Sequence, residues 1–137
     1  MERLCPRAPA TAQGARVFGV VGGRPGARRV AYLEQTIDVT DGIVAATAPV
    51  SPNEVLRTSA ACAGDGCSHF DGRNCTLVSR ITALLAPAVD RPPPCAIRRD
   101  CRWWHQEGVS ACLRCPQVVT ASRAETADME RAAAPPA

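Results

Sequence analysis

Lysine is absent from the chain, and all sixteen basic residues are Arg. Against thirteen Asp and Glu they leave a net charge of only +3, so charge by itself does not direct the chain to nucleic acid. An Arg-only basic set beside abundant Ala, Gly and Pro is also what a GC-rich coding sequence produces. Large apolar side chains are scarce: two Phe, two Trp and one Tyr among 137 residues, with Ala supplying much of the 46% hydrophobic fraction. Alanine buries little area, so the core is expected to be thin and to need a covalent or metallic staple. No apolar run is long enough for a membrane-spanning helix. The first residues carry Arg but no continuous apolar stretch of the secretory kind, so a cytoplasmic location is expected, where thiols stay reduced. Paired catalytic carboxylates and a Ser-His-Asp pattern are missing too, and the glycine-rich "VFGVVGGRPG" lacks the G-K-[ST] of a phosphate loop. No enzyme is read from the chain.

Cysteine, in contrast, is plentiful. Cys5 stands apart near the start and reads as incidental; the other seven fall into two groups. Cys62, Cys67 and Cys75 are spaced C-x4-C-x7-C, with His69 among them. Cys95, Cys101, Cys112 and Cys115 are spaced C-x5-C-x10-C-x2-C, within a segment that includes "CRWWHQEGVSACLRCPQ". Seven thiols cannot pair off in disulfides without a remainder. Four-coordinate metal sites fit better: the second group is one complete thiolate set, and the first reaches four with His69. In the C-x2-C of Cys112 and Cys115 two side chains from one tight loop can face a common centre. Cys75 and Cys101 lie where helices are expected to start, and a helix N-terminus stabilises a thiolate with its free N–H groups and dipole. "CLRC" lacks the βαβ context of a thioredoxin-like redox pair.

The elements run from strands to helices. "RVFGVV" and "RRVAYL" flank a Gly/Pro turn as a hairpin, and "TIDVT" alternates like a further strand. A short helix follows, capped by Thr40 or Asp41, with Ile43, Val44 and Thr47 turned inward. "SPNEVLRTSAAC" predicts a helix from Ser51 to about Ala61, with Ser51, Pro52 and Glu54 forming a capping box. A helix over 75–86 uses Leu77, Ile81, Leu84 and Leu85 as its apolar stripe, with Asn74 or Asp71 as cap. The triple proline of 92–94 makes a stiff connector, and a last helix over 101–107 takes Asp100 as cap and stops at Gly108. The expected architecture is α+β: a small N-terminal β-hairpin or sheet, then three or four short helices, with a metal-stapled, cysteine-rich C-terminal half. Residues 1–15 are expected to be a flexible leader, 16–119 a single metal-binding domain and 120–137 a flexible tail.

Cys115–Pro116 resembles the Cys-Pro that closes the bacterial ferredoxin cluster motif, over those two residues only. Only one C-x2-C knuckle is present, where zinc ribbons use two. Trp103 and Trp104 can shield a cluster from water, and Arg102 and Arg114 can offset the negative charge of a tetrathiolate centre. His105 reads as a surface or hydrogen-bonding imidazole. The functional expectation is a small iron–sulfur protein with a [4Fe–4S] cluster on Cys95, Cys101, Cys112 and Cys115. A second metal site on Cys62, Cys67, Cys75 and His69 is the natural extension. The role is electron transfer or redox sensing with a protein partner, either a redox enzyme or a complex subunit. The alternative is a Zn2+-stapled interaction module, with nucleic acid as its less favoured partner.

Overall fold

The computed structural model describes residues 3–24, 26–121 and 127–134. Its architecture is α+β, an antiparallel four-stranded sheet with short helices packed against it. The expected hairpin is present as β2 (Arg16–Gly22) and β3 (Arg29–Asp38). β3 joins "RRVAYL" and "TIDVT" into one strand, whose register against β2 slips between Val17 and Gly19. A β-carbon on Gly19 would lie 2.4 Å from Val30 Cγ1, so only glycine lets the two strands approach there. The irregularity sets Tyr32 opposite Gly19, with its ring 6.1 Å from that of Phe18.

Two strands complete the sheet, in the order β1-β4-β2-β3, and neither was expected. β1 (Leu4–Ala8) lies in the segment read as a flexible leader, with Cys5 paired opposite Ala60. β4 (Leu56–Ala61) occupies residues expected to be helical. The helix that starts at Pro52 lasts one turn, α2 (Pro52–Val55), and the Ser51 side chain makes no capping bond. Burial explains the switch. Five of the six β4 residues are buried, including Arg57, Thr58 and Ser59, because the strand is flanked on both sides by β1 and β2. Sheet pairing satisfies every backbone group of such a strand, and that outweighs a local helix preference.

α1 (Asp41–Thr47) is capped as expected, Ile43 N–H donating to Thr40 Oγ1 at 3.2 Å, but none of its residues is buried and Val44 faces solvent. α3 (Thr76–Leu84) buries Leu77, Val78 and Ile81. They form the second half of the core with Trp103, Ala111 and Ala132. Trp103 belongs to α4 (Arg102–Glu107), and Ala111 to α5 (Val109–Arg114). Ala132 belongs to α6 (Ala127–Ala133), a helix inside the segment expected to be a flexible tail. Gly108 joins α4 to α5 at φ +64, ψ −146, a backbone region open to glycine alone. No helix among the described residues is long and apolar enough to cross a membrane.

Candidate metal centre

A recess between the sheet and the helices collects the second cysteine group. Cys95, Cys101, Cys112 and Cys115 line it with Pro6 of β1, Phe18 of β2, Tyr32 of β3, Ile97, Arg98, Ala111 and both tryptophans. The space inside is about 20 Å³, room for one water. All eight cysteines are free thiols. Among the described residues no three His, Cys, Asp or Glu side chains are grouped as they are around a single metal ion.

Each thiol has its own anchor. Cys101, the N-cap residue of α4, takes the position expected for Asp100. Burial pushes its pKa from an ordinary 9.0 up to about 12. The Trp104 and Trp103 N–H groups pull the other way, while Cys115 and Cys95 add to the rise. Cys95 is raised by burial and held down in part by the Ile97 N–H. Cys112 is raised by burial, against the Arg98 side chain that hydrogen-bonds to it. Cys115 ends α5 and accepts a hydrogen bond on Sγ from Arg57 Nη2 at 3.2 Å.

Arg57, which nothing in the sequence singled out, lies beside this recess, fully buried near the start of β4. Its Nε and Nη2 donate to Pro6 O at 3.1 and 2.9 Å, and Nη1 donates to Cys115 O and Val118 O at 2.8 and 2.9 Å. The cation is sandwiched by rings, its Cζ 5.2 Å from the Phe18 centroid and 5.9 Å from that of Trp103. Burial disfavours its charge, but Cys115, which also hydrogen-bonds to it, outweighs this and raises its pKa. Carbonyls satisfy its N–H groups, and no carboxylate is among its hydrogen-bond partners.

Two polar atoms of the lining are poorly served: Arg98 Nε is buried without a hydrogen-bond partner, and the Tyr32 hydroxyl has the Cys115 thiol as its neighbour. Burial raises the Tyr32 pKa, with Cys115 adding to the effect, so the hydroxyl keeps its proton. Buried donors are rarely left unsatisfied.

The remaining predicted residues separate. Trp103 is core and Trp104 is half-buried over the recess, stacking edge-on to His105. His105 bonds through Nε2 to Arg99 O, outside the site. Arg114 is directed away from the thiols, donating to Leu85 O and to Ser110 O and Oγ. Arg102 serves the other group: its Nε donates to Cys62 Sγ at 3.0 Å and its guanidinium sits 5.2 Å over Phe70. His69 accepts from Arg80 Nη2 on Nδ1 at 2.8 Å, because a guanidinium only donates. The neutral ring then carries its proton on Nε2. Burial, then Arg7 and Arg80, lower its pKa, in keeping with the neutral form.

A larger, mainly apolar cavity of about 340 Å³ lies between α2, α3 and α6, with no cysteine in its lining. Thiol chemistry, not volume, identifies the candidate centre. No protein-family model matches the chain, and no curated protein or solved structure is returned as similar to it.

Proposed function

We propose that the chain is a small iron–sulfur protein holding a [4Fe–4S] cluster on Cys95, Cys101, Cys112 and Cys115. It would exchange single electrons with a protein redox partner or sense redox state, with no bond to substrate made or broken. A cytoplasmic location fits this role, since the thiols must stay reduced to ligate.

The observation that carries the reading is that four free thiols line one recess, with the buried Arg57 guanidinium bonded to the sulfur of one of them, Cys115. When bound, the cluster supplies one-electron redox chemistry and an overall negative charge. The protein's residues do the rest. N–H groups of Ile97, Trp103 and Trp104 are directed at the sulfurs of Cys95 and Cys101. Arg57 and Arg98 offset the charge, and Trp103 with Trp104 keeps water away. Such contacts tune potential as well as stability.

Protein purified without oxygen tests the reading. It should be brown, with a broad visible absorption that dithionite bleaches, and carry iron and acid-labile sulfide in equal amounts. A colourless preparation with stoichiometric zinc, stable in air and unfolded by chelators, would overturn it in favour of the zinc-stapled module.

A further inference from the structure

Cys5, discounted from sequence, belongs to the other cysteine group. β1 runs antiparallel to β4 with Cys5 opposite Ala60 and Leu4 opposite Ala61. Cys62 follows directly, its N–H donating to Arg3 O at 2.8 Å, so the strand pairing carries Cys62 to the side of β1. Alternation along β1 then separates two neighbours: Pro6 lines the recess described above, and Cys5 turns to the opposite side. There its electrostatic neighbours are Cys75, Cys62 and Cys67.

The chain from 62 to 75 closes around the same place. The 3-10 turn Gly64–Gly66 receives the Cys67 N–H at Gly64 O, 2.9 Å, and the Phe70 N–H returns to Cys67 O at 3.1 Å. His69 N–H points at Cys67 Sγ, 3.4 Å away. An antiparallel bridge between Phe70 and Cys75 brings the third thiol back to the start of α3. Cys75 is the N-cap residue there, with the N–H groups of Val78 and Leu77 directed at its sulfur. Arg102 donates to Cys62 Sγ, and Arg7 lies within electrostatic reach of Cys5, Cys67 and Cys75. Free thiols with N–H groups on their sulfurs and arginines around them are the pattern of the first recess over again.

We infer that Cys5, Cys62, Cys67 and Cys75 form a second tetrathiolate site for a [4Fe–4S] cluster, with Cys5 in the place that spacing alone would give His69. The two sites lie side by side and share their supports. Leu4, next to Cys5, bridges to Cys101. Arg102, next to Cys101, bonds to Cys62. On the same face of α4, Gln106 clamps Cys75 by accepting its N–H at 2.8 Å and donating to its carbonyl at 2.9 Å. Electrons entering at one cluster therefore have a short path to the other, through contacts made by β1 and α4.

The test counts iron in anaerobically reconstituted full-length protein and in the variants Cys5→Ala, His69→Ala and Cys115→Ala. The wild type and H69A should hold about eight iron per chain, and C5A and C115A about four each. If the wild type holds about four, lost in C115A and kept in C5A, the second site is refuted while the first stands. If the four are instead lost in C5A and kept in C115A, the second site stands and the first reading fails. Loss of half the iron in H69A but not in C5A would reverse the ligand assignment. Should C5A fail to fold, Cys5→Val, which keeps a strand-forming apolar side chain, decides: it should hold about four iron per chain, and about eight would refute the assignment.

Discussion

Arg57 shows most plainly what single residues contribute. A fully buried guanidinium on a central strand is an unusual choice unless it has something anionic to face. Replacing it with Met removes the charge and takes a donor from the Pro6 and Val118 carbonyls, while Cys115 O keeps the Val118 N–H at 3.0 Å. We expect R57M to lose about 3–5 kcal/mol of stability, the range for breaking a buried charged pair. Urea denaturation of the loaded protein measures this; a loss below about 1 kcal/mol would show that Arg57 faces no bound anion. Losing a cation beside Cys115 should also lower the reduction potential of any cluster that survives, because reduction adds negative charge. Trp103→Ala, at a nearly buried position between recess and core, should cost about 3–5 kcal/mol and speed bleaching in air. Unchanged bleaching kinetics would show that Trp103 packs the core without shielding the centre.

At the scale of elements, α4 and the turn after it touch both cysteine groups. Its N-cap is Cys101, Arg102 and Gln106 reach the other group, and Gly108 then redirects the chain so that α5 returns Cys112 and Cys115 to the recess. Gly108→Ala forces a side chain into a glycine-only conformation. It should cost about 1–3 kcal/mol and reduce iron at the Cys95–Cys115 site more than at the other, as site-resolved alkylation would reveal. Equal loss at both sites would contradict this role. Much of this region was legible in advance. Cys95, Cys101, Cys112 and Cys115 lie within twenty-one residues, the spacing is local, and "CRWWHQE" followed by glycine announces a capped helix. What escaped notice depends on distant pairing. Nothing near Cys5 in sequence reveals that β1 lies beside β4, more than fifty residues away. "SPNEVLRTSAAC" reads as a helix because its cap residues and Ala-rich end favour one. Its central position between β1 and β2 decides otherwise, and with that error Arg57 lost its place in the site. His69 had a spacing that suited a ligand, and the sequence did not show that α3 brings Arg80 alongside to bond its Nδ1.

Across the whole molecule, the buried thiols tie folding to pH and to loading. Cys5 and Cys101 are raised to about 11 and about 12, and Cys75, Cys95 and Cys112 move the same way, all chiefly by burial. The folded, metal-free chain therefore keeps protons that the unfolded chain releases near pH 9.0, the ordinary thiol value. The stability from these raised groups is complete below that pH and is lost as pH climbs toward about 12. The urea midpoint of reduced, chelator-treated protein should fall from pH 8 to pH 10.5; a rising midpoint would mean the thiols are not buried as protonated groups. Loading reverses the balance, because ligation releases those protons, so reconstitution should proceed more readily at pH 8.5 than at pH 7.

Native mass spectrometry of the anaerobic chain tests the central claim most directly, since it weighs what the thiols hold. Each [4Fe–4S] cluster adds roughly 350 Da, less the protons that ligation displaces. The account predicts two such increments on the wild-type chain and one on C115A. Increments of zinc mass, or a bare chain lighter by two hydrogens for each disulfide formed, would contradict it.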